Sequence, residues 1–329
     1  MKLLVTGGLG FIGSNFILKL LEQDDIEITN VDAELFGSDH RNLSEVDNSD
    51  RYNFVKGNIS NKKFMEEQIG KCDVVVNFAA ESFVDRSIND ANPFLISNIR
   101  GAFTILDIIT KQKKRMVQIS TDEVFGSLTQ GTANENSKFN PSSPYAATKA
   151  AAELLINSYS ITYDTDVIIT RCTNNFGPRQ FVEKLIPKTI ILANQNLKIP
   201  IYGKGNNIRD WIFVDDHCEG VEEVLFNGKS GESYNISANN EIDNITIVKK
   251  ILEIMDKPND LIEFVEDRPG HDFRYSMDSK KISDELEWKI KTTFEEGLEK
   301  TIQWYLDNPE ILNDVSPAVL NSTPWKNSN

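Results

Sequence analysis

Residues Thr6–Gly13 read Thr-Gly-Gly-Leu-Gly-Phe-Ile-Gly, with Gly7, Gly10 and Gly13 three apart. They follow the apolar run Lys2–Thr6 and precede Ile12, Phe16 and Leu20, which recur every four residues with Ile17 and Leu21 beside them. That pattern predicts a strand, a tight turn and a helix with one buried stripe. In such a unit one glycine makes the turn, one lets backbone approach a pyrophosphate, and one permits close helix–strand packing. The helix then offers free N–H groups and the positive end of its dipole to phosphates. Asp32 closes the second predicted strand 19 residues after Gly13, where a carboxylate grips the adenosine ribose hydroxyls. A carboxylate there repels a 2′-phosphate, so the expected cofactor is NAD; Arg41, nine residues on, works against that exclusion.

The first half alternates short β-type runs with longer helical stretches. Strands are expected at Lys2–Thr6, Glu27–Val31, Asn53–Lys56, Asp73–Phe78, Met116–Ser120 and Val167–Thr170, several of them continuously apolar, as strands covered on both faces are. The predicted fold is α/β, a doubly wound Rossmann-type parallel sheet with a smaller C-terminal α/β domain. From about Arg171 the alternation breaks down into elements separated by polar loops (Asn174–Arg179, Tyr202–Asn207, Asp267–His271). A chain of 329 residues suits two domains. Residues 1–170 are assigned to NAD binding and catalysis and 171–329 mainly to substrate, with interleaving segments allowed. Asn308–Asn329, rich in Pro, Asn and Ser, reads as a loose or surface-draped tail.

A net charge of -15 argues against a nucleic-acid surface. Cys72, Cys172 and Cys218 are too far apart to suggest a disulfide framework or a zinc ligand set, and the expected location is the cytoplasm. No metal site is indicated; His40 and His217 are isolated and read as structural or exposed. No uninterrupted run of about 18 apolar residues suggests a membrane span.

Tyr145 and Lys149 are four apart, on one face of a predicted helix. A nearby ammonium, with the positive charge of the nicotinamide, is expected to favour tyrosinate and make Tyr145 a base toward a sugar hydroxyl. The fifth strand runs into Thr121-Asp122-Glu123 at the carboxyl edge of the sheet, where open α/β sheets hold their ligands. Two adjacent carboxylates there are costly unless paired or solvated, which marks them as functional candidates.

The glycine spacing resembles that of the extended short-chain dehydrogenase/reductases. Ser120–Gly126, Asn77–Ser87, Arg171–Pro187, Asn207–Val214 and Asp267–Asp272 look like the motifs of dTDP-glucose 4,6-dehydratases, in order along nearly the whole chain. Related 4-epimerases lack the paired acids, and related decarboxylases generally keep only the second. The resemblance implies that Tyr145, with Thr121 and Lys149, deprotonates the C4 hydroxyl as C4 is oxidised. Glu123 then removes the C5 proton, and Asp122 protonates the departing C6 hydroxyl.

It further implies NAD contacts from Gly7, Gly10, Phe11, Ile12, Gly13, Asp32, Asn58, Ile59, Ala79, Ala80, Ser97, Tyr145, Lys149 and Asn175. Asn58 stands where Asp is usual, its carbonyl expected to accept from the adenine amine. Ser82, Thr121, Asn174, Lys184, Leu185, Arg209, Asn244, Arg268 and His271 are expected around a nucleoside-diphosphate glucose, with Arg209 and Arg268 suited to the diphosphate. Phe83 replaces the usual His, Phe125 and Phe176 replace tyrosines, Ser97 replaces Thr, and Phe273 stands where a basic residue is common.

A homodimer is implied through helices beginning near Asn92 and Ser143, with Phe94, Phe103, Ile105 and Leu106 serving either that contact or the core. A UDP-glucose 4,6-dehydratase, a UDP-sugar 4-epimerase or decarboxylase, and a non-catalytic NAD-binding protein are the alternative readings.

Overall fold

The computed structural model describes residues 1–313 and 320–326. Twelve strands follow in chain order: β1 Lys2–Thr6, β2 Glu27–Asp32, β3 Tyr52–Lys56, β4 Val74–Asn77, β5 Arg115–Thr121, β6 Val167–Cys172, β7 Asn174–Phe176, β8 Ile199–Tyr202, β9 Ile208–Phe213, β10 Ser233–Ile236, β11 Glu241–Asp243 and β12 Ile262–Val265. Seven form one parallel sheet in the order β10-β6-β5-β4-β1-β2-β3. The order reverses between β1 and β4, and the carboxyl ends of those strands open the crevice where doubly wound sheets bind ligands. All six strands expected from sequence are present, within two residues at either end.

Apolar helix faces cover both sides. On one, Phe16, Ile17 and Leu20 of helix Phe11–Leu20 pack with Val221, Val224 and Leu225 of helix Val214–Asn227. On the other, Ile105, Leu106, Ile108 and Ile109 of helix Ala102–Gln112 pack on Leu4, Val75 and Met116. Helix Pro144–Tyr163 begins with Pro at its first position, and the Ser143 side chain accepts from the Ala146 N–H. That cap aims its first two turns, with Tyr145 and Lys149, at the end of β5.

The remaining strands make a three-stranded sheet, β11-β9-β7, and a parallel pair, β12-β8. Helices Leu185–Asn194, Asn244–Ile254 and Phe294–Asp307 cover them around Phe176, Trp211, Phe213, Phe294 and Tyr305.

Several expectations change. The alternation does not stop at Arg171: helix Val214–Asn227 and β10 return to the large sheet, so that sheet takes its last strand from the second half. Asn174–Arg179 is not all loop, because Asn174–Phe176 pairs with β9. Phe94, Ile105 and Leu106 are buried, while Phe103 is exposed. Helix Asn92–Gln112 is long and apolar enough to cross a membrane by length and composition, yet half of it is buried, as in a core helix. In the tail, Trp325 is buried edge-on against Tyr202 and Lys188 donates to the Asn321 carbonyl, so 320–326 is docked. Positions 314–319 and 327–329 of that expected tail lie outside the described residues.

Candidate active site

Two cavities meet at the carboxyl end of the sheet. One, of about 290 Å³, runs along the glycine loop; the other, of about 200 Å³, lies between the large sheet and the second region. Phe83, Glu123, Asn174 and Lys184 line both, so Glu123 stands at their junction.

The glycine loop is built for close approach. Gly7 has φ +72°, and a Cβ on it would lie 2.6 Å from the Ala79 nitrogen. A Cβ on Gly13 would lie 2.5 Å from the Gly7 carbonyl oxygen. Gly10 caps helix Phe11–Leu20 without any side-chain bond, leaving its first-turn N–H groups to the cavity. Asp32 is buried, accepting from the N–H groups of Leu9 (3.1 Å) and Glu34 (2.8 Å) and from the Ser38 hydroxyl (2.9 Å). Arg41 chelates Asp39 instead, with its nearest nitrogen at 2.6 Å, and lines neither cavity.

Phe11, Ile12, Asn58, Ile59, Ala79, Ala80, Ser82 and Ser97 all line the first cavity. Asn58 differs from expectation in one respect. Its Oδ1 already accepts from the Ser60 N–H (2.9 Å) and hydroxyl (2.7 Å). A backbone N–H cannot accept, so the amide orientation is settled and the side chain has its nitrogen left to offer a ligand. Asn175 is buried in the same cavity with its Oδ1 unpartnered, a vacant acceptor suited to an amide donor.

Phe83 belongs to an aromatic wall no pattern had suggested. Phe36, Phe83 and Phe181 come from three chain segments and meet edge-on at 4.8–5.4 Å. The Arg86 guanidinium lies 3.4 Å from the Phe36 ring centre, and the Lys184 ammonium 4.5 Å from that of Phe83.

Thr121, Asp122, Glu123, Tyr145 and Lys149 come together at the inner end of this cavity. Thr121 Oγ1 accepts from the Glu123 N–H (3.2 Å) and donates to Asp122 Oδ1 (3.1 Å), fixing the turn that presents both acids. Asp122 is buried with Oδ2 unpartnered; burial first, then the neighbouring Glu123, holds its carboxyl well above the ordinary range. Burial also raises Glu123, but Arg268, Arg209 and Lys184 all pull it back. The pair is thus split, with the proton favoured on Asp122 and the charge on Glu123.

Tyr145 and Lys149 share a helix face as expected, but not the expected interaction. The Lys149 ammonium donates to the Ile119 carbonyl (2.6 Å), and burial lowers its pKa to about 8. Burial, with Glu123 and Cys172 nearby, raises the Tyr145 phenol well above its ordinary range, opposed by its hydrogen bond with Thr121. The chain alone therefore keeps Tyr145 protonated, because two carboxyl groups and a low-dielectric pocket outweigh an ammonium turned elsewhere.

Asn174, Lys184, Leu185, Arg209, Asn244, Arg268 and His271 all line the second cavity. Lys184 donates to the Ser82 carbonyl (3.1 Å) and Arg209 to the Asp272 carbonyl (2.9 Å). Arg268 pairs with Asp85 (2.6 Å), which also accepts from the Tyr202 hydroxyl (3.0 Å). His271 bonds Asp267 (2.6 Å), but burial and the two arginines lower its pKa to about 4. Asp85, Tyr202, Asp272 and Tyr275 are site residues that sequence reasoning passed over. Asp85 and Asp272 lie inside motifs already singled out, so position was the available signal. His40 is exposed and paired with Glu34, and His217 is fully buried. Among the described residues no three His, Cys, Asp or Glu side chains form a metal cluster.

Comparison with known proteins places the chain in a family. The family model for GDP-mannose 4,6 dehydratase matches residues 4–301. The dTDP-glucose 4,6-dehydratase of Actinoplanes sp. is 42% identical, over 94% of this chain and 98% of its own. The chain belongs to the dTDP-glucose 4,6-dehydratase family. The low-salt glycan biosynthesis protein Agl12 of Haloferax volcanii is 45% identical, over 94% of this chain and all of its own. The dTDP-glucose 4,6-dehydratase DesIV of Streptomyces venezuelae, solved with NAD bound, superposes with a TM-score of 0.92 at 40% identity, covering 94% of this chain and 98% of that one.

Proposed function

We propose that this family member is an NAD-dependent nucleotide-sugar 4,6-dehydratase converting dTDP-glucose to dTDP-4-keto-6-deoxyglucose. The observation that carries the reading is the unequal pair at the cavity junction: Asp122, buried with Oδ2 unpartnered, is raised well above the ordinary carboxyl range, while the burial-driven rise of Glu123 is opposed by three cations. An elimination needs an acid and a base together; a 4-epimerase has no use for both.

The glycine loop, Asp32, the vacant Asn175 acceptor and Lys149 would hold NAD in the first cavity. Bound there, NAD would supply a positive ring that favours the tyrosinate, accept the C4 hydrogen and return it at C6. Tyr145 takes the C4 hydroxyl proton, and Thr121 orients that hydroxyl. Once C4 is a ketone the C5 proton is acidified, and Glu123 removes it. Asp122 delivers its proton to the C6 oxygen, so the hydroxyl departs as water, and C5 takes a proton back as C6 gains its hydrogen. In the second cavity Lys184, Arg209 and Arg268 counter the diphosphate, and Asn244 and His271 flank it. We place a homodimer contact on Leu95, Ile96, Phe103 and Leu154, apolar residues exposed on the helices starting at Asn92 and Pro144.

Purified protein is incubated with dTDP-glucose and, separately, UDP-glucose, and the products are weighed by mass spectrometry. Loss of one water without net NAD reduction, faster with dTDP-glucose, is expected. A faster UDP-glucose reaction would reassign the nucleotide, since one methyl discriminates by only about 1 kcal/mol. Galactose formed at unchanged mass would overturn the dehydratase reading.

A further inference from the structure

Resting on the dehydratase reading, the position of Glu123 raises a question the five site residues leave open. The base is half-buried at the cavity junction, where a bound sugar would cover it. It must surrender the C5 proton or hand the same one back. Among the described residues, one side chain is hydrogen-bonded to its carboxylate. The Tyr275 hydroxyl lies 3.4 Å from Oε2. That hydroxyl donates to Asp272 Oδ2 at 2.5 Å, and the same Oδ2 accepts from the Ser142 hydroxyl. Tyr275 and Asp272 are buried, whereas Ser142 is exposed. The Arg209 guanidinium, 4.3 Å from the Tyr275 ring centre, holds the ring in place and donates to the Asp272 carbonyl.

We infer that Tyr275, Asp272 and Ser142 form a proton relay connecting Glu123 to solvent behind the bound sugar. The C5–H bond breaks and a Glu123 O–H bond forms. Glu123 then passes its proton to the Tyr275 oxygen as the Tyr275 hydroxyl proton moves to the Asp272 carboxylate. Asp272 releases that proton through Ser142 to water, and Glu123 is again a carboxylate. The reverse sequence delivers a solvent proton to C5; no electrons leave or enter. The 3.4 Å gap exceeds a working O–H···O bond by about 0.5 Å. A small swing of the Glu123 carboxylate closes it, and catalytic contacts of this kind tighten when the site fills. Tyr275 touches no reacting atom; it is a positioning and relay residue.

The test runs wild type, Tyr275→Phe and Asp272→Asn in D2O, quenched early, with product incubated alone in D2O to set the background. Deuterium at C5 is read by NMR, and loss of water by mass spectrometry. Wild type is expected to label C5 on most product molecules. In both variants the C5 label per water lost should fall roughly tenfold below wild type, whatever the rate of water loss, because Glu123 returns the proton it took. Asp272→Asn keeps an acceptor for both hydroxyls, so it covers the case in which Tyr275→Phe fails to fold. Dehydration with wild-type labelling in both variants would overturn the relay alone. Absence of water loss from wild type would overturn the dehydratase reading and the relay with it.

Discussion

Asp122→Asn removes an acidic proton while keeping the side chain's size, and its consequences for stability and activity point in different directions. In the fold the Asp122 carboxyl is buried, its Oδ2 lacks a partner, and its proton affinity is raised by burial and by Glu123. In the unfolded chain it titrates near about 3.9. Between those two pKa values the folded protein holds a proton that the unfolded chain has lost. Stability therefore falls with rising pH, by about 1.4 kcal/mol per unit, until Asp122 ionises in the fold. The variant lacks that slope. An amide in this position leaves N–H groups unpaired where Oδ2 was, at about 1–3 kcal/mol, but that cost is the same at every pH. The wild-type-minus-variant difference in urea unfolding, followed from about pH 4.5 to pH 8, isolates the titration. Wild type should be favoured most at the acid end and lose ground steadily. Parallel pH profiles would show that Asp122 ionises normally in the fold, and the general-acid assignment would lose its protonated carboxyl. In the same variant dehydration should fall by about 10²–10⁴, or about 2.7–5.4 kcal/mol of barrier. The C4 oxidation machinery stays intact, so NADH absorbance should accumulate on adding substrate.

Three further outcomes are expected. Burial of His217 lowers its pKa to about 3, so the folded protein resists a proton that the unfolded chain binds near about 6.5. Stability is complete above that pH and is lost as pH falls; His217→Leu should gain about 2 kcal/mol at pH 5 relative to pH 7 in thermal or urea unfolding. Arg171 pairs with Glu153 at 2.7 Å with both side chains buried, so Arg171→Met should cost about 3–5 kcal/mol in urea by stranding a carboxylate. Phe83→Leu removes the ring face beneath Lys184, a cation facing the substrate diphosphate, and should raise the KM for dTDP-glucose about threefold to tenfold in steady-state assays.

The cofactor half of the site was legible because its determinants are local. Gly7 is required by its positive φ and Gly13 by the nearby Gly7 carbonyl, both inside one strand–turn–helix unit, and Asp32 ends the adjacent strand. Thr121, Asp122 and Glu123 were legible for a similar reason, lying where β5 ends at the carboxyl edge of the sheet. Tyr275 and Asp85 were not. Each gains its meaning from a partner at least 150 residues away, Glu123 for Tyr275 and Arg268 for Asp85. No spacing rule reaches that far.

Hydrophobic periodicity and turn chemistry determine, from the sequence alone, a doubly wound sheet, its first six strands and the chemistry available at its edge. Those patterns repeat every two to four residues and need no tertiary partner to be read. Protonation was decided only by the tertiary structure. Tyr145 and Lys149 sit on one helix face as their spacing requires, yet burial and the Ile119 carbonyl set their charges. Asp122 and Glu123 are adjacent in the chain and both carboxylic acids; burial raises both, and three cations from later segments oppose the rise at Glu123, which sets the two apart. A pKa reports desolvation and all the charges around a group, and those are known only once the chain has folded back on itself.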